Sequence, residues 1–337
     1  MRRKIILLRT ILIMGVTLLF NHVGVIQVSA VPVMAMEDSE TEITPIPTET
    51  PKSEEIITPT PKPIKNGLVK EDGYYRYYNK GKLLKNQWKD ANGKRYYFKS
   101  NGNGATYSYK IKGQYYVFNE RARLVRPVSN KIVPVGENKY LADSKGRPKT
   151  GWNIVNGKLY YVSKTGECVK SKIIDGIVLT KDCWAKDTTD AQLKMTCMKI
   201  VKELTTDQMT KSQKLSRCWS YITGGRFWYA SKYPNLSSSG WQRSLGLNML
   251  QSKCGNCYGF ACGFAALAKE IGYEPVVVCA KVPGKRDGAS DGYTRHCWIM
   301  IDGRHYDPEA QYAGWGKGIY GYGNYPISYR IQRTVKF

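Results

Sequence analysis

Cys254-Gly255-Asn256-Cys257-Tyr258-Gly259-Phe260-Ala261-Cys262-Gly263-Phe264-Ala265-Ala266-Leu267-Ala268-Lys269-Glu270-Ile271-Gly272 decides how this chain is read. Phe260, Ala261, Phe264, Ala265, Leu267, Ala268 and Ile271 recur at helical spacing, and Gly272 with Pro275 beyond it closes the run. The spacing predicts a buried helix that begins at or just after Cys257. A thiol at that end faces unsatisfied N–H groups, whose partial positive charge favours the nucleophilic thiolate.

A nucleophilic thiol needs a base, and the chain has only three histidines. His22 lies in the N-terminal apolar stretch, which leaves His296 and His305. The segment from Arg295 to Pro308 reads as two strands joined by a two-residue Asp302-Gly303 turn. With that turn, Ile301 faces Arg304 and Trp298 faces Asp307. Strand side chains share a face at every second position, so His296 falls on the face of Asp307, one diagonal step away. Diagonal neighbours stand roughly 7–8 Å apart, within reach of an imidazole–carboxylate hydrogen bond. That bond would orient the ring towards the sulfur. His305 shares the face but pairs with Met300, further from the thiol.

The blocks Gly255-Asn256-Cys257-Tyr258-Gly259-Phe260-Ala261, His296-Cys297-Trp298 and Tyr306-Asp307-Pro308 resemble the three signature blocks of the transglutaminase-like superfamily. The resemblance implies a papain-like α+β fold with a Cys, His, Asp triad, carried onto Cys257, His296 and Asp307. Gln251 to Tyr258 also resembles the papain protease motif, with Gln251 in the oxyanion position. Papain-type enzymes, however, separate nucleophile and histidine by about 130–150 residues. Here the gap is 296 − 257 = 39. The transglutaminase-like reading is therefore preferred, and Gln251 stays a secondary oxyanion candidate. Cys297 departs from the small residue expected after the histidine; it faces away from His296, towards the core.

A chain of 337 residues predicts two or three domains, and a net charge of +25 predicts attraction to polyanions. No nucleic-acid motif is present, so wall polymers or acidic membrane surfaces are the expected partners rather than nucleic acid. Met1-Arg2-Arg3-Lys4 followed by the apolar run Ile5–Phe20 reads as a signal peptide over 1–30, with Val28-Ser29-Ala30 or Val33-Met34-Ala35 as cleavage site. The alternative is a retained anchor, since Thr10 to Val33 carries no formal charge. Asn21, His22 and Gln27 favour cleavage, and a membrane partner follows only if the segment is kept. Residues 31–65, rich in Glu, Thr, Ser and Pro, read as a disordered tether. The chain is thus expected to be secreted and held at the wall or cell surface.

Over residues 66–184 the sequence repeats itself. Trp88 leads to Asn92-Gly93-Lys94 and Tyr96-Tyr97-Phe98, and Trp152 leads at identical offsets to Asn156-Gly157-Lys158 and Tyr160-Tyr161-Val162. Weaker copies surround Gly73-Tyr74-Tyr75, Gly113-Gln114-Tyr115-Tyr116 and Lys139-Tyr140-Leu141. Asn-Gly turns beside aromatic alternation predict a β-hairpin repeat solenoid. The array resembles the cell-wall-binding repeats, also called choline- or glucan-binding repeats, of exported Gram-positive proteins. That resemblance implies shallow aromatic sites for choline or sugars. A choline cage needs several aromatic faces, and this tryptophan-poor array points instead to a glycan or an acidic wall polymer.

Residues 185–337 then form the transglutaminase-like domain, so the fold class is multidomain, hairpin solenoid followed by α+β. Thr189 with Gln192 and Thr210 with Gln213 read as capping boxes opening two helices. A short helix over Trp241–Leu250 and a strand over Pro275–Val282 flank the central stretch. The loop from Pro283 to Thr294 is a candidate cleft rim, and the tail aromatics Trp315, Tyr320, Tyr322 and Tyr325 cover either the hairpin or the cleft.

Nine cysteines leave at least one unpaired, and Cys262, Cys279 and Cys297 read as core. Cys254 and Cys257 form a C-x-x-C pair that elsewhere serves redox chemistry or zinc. No second C-x-x-C exists, and His296 and Cys297 point to opposite faces, so no metal and no cofactor is expected. The reading is an exported, wall-associated thiol enzyme. It acts on peptide or side-chain amides through a thioester acyl-enzyme, with hydrolysis favoured over amine transfer. The alternative is a non-catalytic wall adhesion protein with a silent domain.

Overall fold

The computed structural model describes residues 62–231, 233–285, 288–315 and 318–337. The leader expected at 1–30 and the tether up to residue 61 lie outside the described residues. No helix among the described residues is long and apolar enough to cross a membrane.

The first part is a succession of antiparallel hairpins: β1 (Gly67–Glu71) and β2 (Tyr74–Asn79), which adds β3 (Lys82–Leu83), then β4 (Gln87–Ala91) with β5 (Lys94–Phe98). There follow β6 (Tyr107–Ile111) with β7 (Gln114–Phe118), β8 (Val133–Val135) with β9 (Asn138–Tyr140), and β10 (Gly151–Val155) with β11 (Lys158–Val162). Asn92-Gly93 and Asn156-Gly157 turn with all four φ values between 50° and 74°, the paired left-handed conformation a tight hairpin requires. Identical offsets yield identical geometry. Trp88 lies opposite Tyr97 and Trp152 opposite Tyr161, edge to face at 5.3 and 5.1 Å.

Each hairpin buries its face on a neighbour: Trp88 also meets Tyr116 and Phe118 of the following unit. A last hairpin, β12 (Ile173–Ile174) with β13 (Ile177–Val178), turns at Asp175-Gly176 and was not singled out from sequence because it lacks the aromatic run. Its Ile177 packs with Leu159 and Ala191, joining the array to the next part.

That part holds α1 (Thr189–Leu204), α2 (Lys211–Thr223), β14 (Trp228–Tyr229), α3 (Trp241–Ser252), β15 (Cys254–Gly255) and α4 (Cys257–Glu270). It continues with β16 (Val276–Pro283), β17 (Tyr293–Ile301), β18 (Arg304–Asp307), α5 (Pro308–Tyr312), β19 (Ile319–Tyr322) and β20 (Arg330–Lys336). Five strands form an antiparallel sheet in the order β19-β18-β17-β16-β20. The helix α4 is apolar on all sides and buried continuously from Cys257 to Ala268, which places it between the sheet and the other helices.

Thr210 and Gln213 make both halves of a capping box. At α1 the expected Thr189–Gln192 box is not formed. Thr188 is the cap, accepting from Ala191 N–H, while the Gln192 amide donates to Asp187.

α3 lies so close to α4 that a Cβ added at Gly246 would stand 2.9 Å from the backbone carbonyl oxygen of Cys262. Neither backbone can yield cheaply. Gly246→Ala is expected to destabilise the chain by about 1–3 kcal/mol, read as a lower urea midpoint with an unchanged slope. A gain of roughly 1 kcal/mol, the helix-propensity effect acting alone, would show that the two helices part without strain.

Candidate active site

Cys257 is the first residue of α4 and is 3% exposed. The extended residue before it, Asn256, caps the helix: its side-chain oxygen accepts from the N–H groups of Tyr258 at 3.1 Å and Gly259 at 3.4 Å. β15, just upstream, pairs in parallel with β14, Tyr229 facing Gly255. This pairing brings Tyr229 to the mouth of the site.

The histidine and the carboxylate come from one hairpin. Asp302 and Gly303 turn at φ 49° and 75°, and Ile301, Met300 and Ile299 pair with Arg304, His305 and Tyr306. The same register sets His296 one diagonal step from Asp307, and its Nε2 lies 2.6 Å from Asp307 Oδ2. The remaining nitrogen, Nδ1, lies 3.9 Å from Glu309 Oε2, and the ring borders the same cleft as the Cys257 thiol. Burial alone would lower the His296 pKa. The Asp307 charge, its hydrogen bond and the neighbouring Cys257 thiol outweigh burial and hold the ring well above its ordinary range.

Asp307 is fully buried and serves three partners. Besides His296, its Oδ2 accepts from the Tyr325 hydroxyl at 2.7 Å, and its Oδ1 accepts from Ala310 N–H at 3.0 Å as the N-cap of α5. Pro308 suits the first position of that helix, where no N–H is needed. Burial, then the neighbouring Asp307 charge, raises the Tyr325 pKa, so its phenol remains a donor. The Tyr325 ring stacks on Trp298 at 4.0 Å.

His305 repeats the diagonal relation one step along: Trp298 Nε1 donates to His305 Nδ1 at 2.9 Å, and burial lowers the His305 pKa. It therefore braces Trp298 as a neutral acceptor, away from the thiol.

Of the tail aromatics, Trp315 lies 5.4 Å from the His296 ring and Tyr325 holds Asp307, whereas Tyr320 packs on Trp219 and Tyr306. Tyr322 is exposed. The cleft, about 110 Å³, is walled by Tyr229, Trp315, Pro283, Gly284 and Thr294 around Cys257 and His296, so the loop after β16 does form one side of it. A larger cleft of about 620 Å³ lies between the β12–β13 turn and helices α1, α3 and α4. Ion pairs Lys194–Glu270 and Arg243–Asp190 line it, and it holds no thiol–imidazole pair.

Gln251 is exposed on α3 and does not border the active cleft, which removes it as an oxyanion donor. Cys297 is fully buried directly opposite Cys279, on the face away from His296. The four-ligand set of Cys254, Cys257, His296 and Cys297 therefore does not converge. His296, Asp307 and Glu309 do offer ligand atoms within 4.8 Å of one another. A metal there would have to displace the direct His296–Asp307 hydrogen bond. Of the alternatives the sequence leaves for the tail aromatics, Trp315 borders the cleft and Tyr325 holds Asp307, whereas Asn256 and Glu309 are site neighbours the sequence reading does not name. Asn256 had a signal, as a preferred cap residue one position before a helix.

Residues 198–315, which contain Cys257, His296 and Asp307, match the family model described as Transglutaminase-like superfamily. This part of the chain is a transglutaminase-like domain. The hairpin array is similar to solved repeat proteins. CbpF in complex with ipratropium is 25% identical, over 36% of this chain and 39% of that one, at a TM-score of 0.28. Choline binding protein F from Streptococcus pneumoniae is 24% identical over 36% and 48%, at 0.19. The modular autolysin LytC from Streptococcus pneumoniae, in complex with a synthetic peptidoglycan ligand, is 21% identical over 36% and 28%, at 0.27. The chain thus spans less than half the length of these structures. No curated protein matches the chain.

With three histidines in the chain, NMR resolves the buried pair. His296 is expected to titrate well above 6.5, and in Asp307→Asn, where burial acts against less opposition, its pKa falls. Because the folded-state value is the higher one, the proton's contribution to stability is complete below about pH 6.5 and fades as pH climbs through the folded-state value. An unchanged His296 titration in Asp307→Asn would show that another group holds the proton.

Proposed function

We propose that the transglutaminase-like domain is an acyl-transfer enzyme with Cys257 as nucleophile, His296 as acid and base, and Asp307 as the residue that orients the ring. The observation that carries this reading is the buried His296–Asp307 hydrogen bond on the same cleft as Cys257, the first residue of a helix. Cys257 attacks the carbonyl of a peptide or side-chain amide as its thiolate, and the charge passes to the carbonyl oxygen. The N–H of Cys257, one position before the two that Asn256 takes, is the oxyanion donor, aided by the helix terminus. Protonated His296 gives its proton to the leaving nitrogen as the C–N bond breaks, which leaves a thioester and a neutral ring. The ring then takes a proton from water or an amine as either attacks the thioester, freeing the sulfur. Water is the acceptor always present, so hydrolysis is the default and amine transfer requires a bound amine.

In this reading residues 1–30 export the chain, 31–65 give reach, 66–184 hold it at the cell wall and 185–337 do the chemistry. The wall assignment rests on the sequence resemblance of the repeats, their hairpin structure and the excess of basic residues. The 3% exposure of Cys257 favours one second reading, a silent domain in a wall adhesion protein, in which the thiol is core.

Mass spectrometry of a peptide library, with and without an added amine, separates the two. Wild type is expected to release ammonia or cleave peptides, and Cys257→Ala to lose this by about 10³-fold or more, as for removal of a catalytic nucleophile. Cys254→Ser is expected to stay active, since Cys254 is outside the relay. Equal products from wild type and Cys257→Ala, or iodoacetamide labelling of Cys257 no faster than a free thiol, would leave the silent domain standing.

A further inference from the structure

The hairpin array carries its own cations on its aromatic faces. Lys70 stands over Tyr75 at 5.9 Å and Lys110 over Tyr115 at 5.7 Å from the ring centroids, each pair directly opposed across its hairpin. Lys158 lies over Trp184 at 3.6 Å. The three rings are half-buried and the three lysines exposed, so each ammonium sits on the outer side of a ring already fixed in the array. None of these lysines is in an ion pair among the described residues. Residues 66–184 hold 24 Lys and Arg against 9 Asp and Glu, an excess of 15 positive charges.

Two consequences follow from this placement. An aromatic face attracts one cation, and a face that already holds the chain's own ammonium repels a quaternary ammonium from the same position. The ring also restrains the lysine stem, so less side-chain freedom is lost when the ammonium meets an anion. Three such groups on separate hairpins, in an array with a large positive excess, match a long polyanion better than a single small ligand.

We infer that the repeat array binds a phosphodiester-rich wall polymer as a linear polyanion, through lysines braced on tyrosine and tryptophan faces, and does not take choline at those faces. The inference rests on the wall retention proposed above and narrows its ligand. Binding is dominated by release of counterions from the polymer, and it therefore weakens steeply with salt. A neutral glycan would show no such dependence.

The test uses the full chain on immobilised poly(glycerol phosphate), with dextran beads, choline-agarose and phosphatidylglycerol vesicles as comparison surfaces. Retention on poly(glycerol phosphate) is expected, with affinity falling at least about tenfold between about 50 and 200 mM NaCl. Choline chloride should elute no better than NaCl at equal ionic strength. The triple variant Lys70→Gln, Lys110→Gln, Lys158→Gln should bind about tenfold or more weakly, and the matching triple Arg variant should bind as wild type, both with wild-type circular dichroism. Choline-specific elution, salt-insensitive retention on dextran, tighter binding to the vesicles, or an unweakened Gln variant would overturn the inference; the first two would leave wall retention in place. Failure to bind any of the surfaces, choline-agarose included, would overturn wall retention as well.

Discussion

A buried carboxylate that satisfies three donors from three directions organises this domain. Asp307 ends β18, caps α5, receives the Tyr325 hydroxyl and holds the His296 ring. A buried charge is costly unless it is paired and hydrogen-bonded, and here His296, Ala310 and Tyr325 meet both conditions. The carboxylate cannot rotate towards His296 without breaking the cap, nor away from it without losing the phenol. Orientation of the imidazole is therefore inherited from the joint between a strand and a helix.

The sulfur is fixed by a different device. Small residues on α4 and Gly246 on α3 let the two helices touch, and Asn256 closes the end of α4. The hairpin β17–β18 and the helix start are thus rigid on independent grounds. Their meeting depends on contact between α4 and the sheet, through the fully buried Cys262, Cys279 and Cys297. The thiols in this core behave as compact apolar groups in a closely packed layer.

Much of this arrangement was legible in residues alone. The Asp302-Gly303 turn and the two-residue period of strands determine which side chains share a face, so the His296–Asp307 diagonal followed from counting. The helical spacing after Cys257 set the helix start within one residue. Contacts that join distant elements had no comparable rule. Tyr325 reaches Asp307 across a loop, and nothing in the spacing marks it among the tail aromatics. Thr188 and Thr189 are chemically equivalent, and only the path of the preceding chain selects the first as the cap. Gln251 matched a motif by order but lies on the exposed face of α3, a matter of helical phase. The β12–β13 hairpin lacks the aromatic signature, and its Ile177 sits in an apolar cluster shared by β10–β11 and α1.

The hairpins close on one another through a few rings, and β10–β11 and β12–β13 share a cluster with α1. Stability in such a stack is a sum of neighbour terms. A unit gained or lost upstream of β10 therefore leaves the cluster that joins the array to α1 intact. Array length can therefore vary independently of the geometry around Cys257, His296 and Asp307.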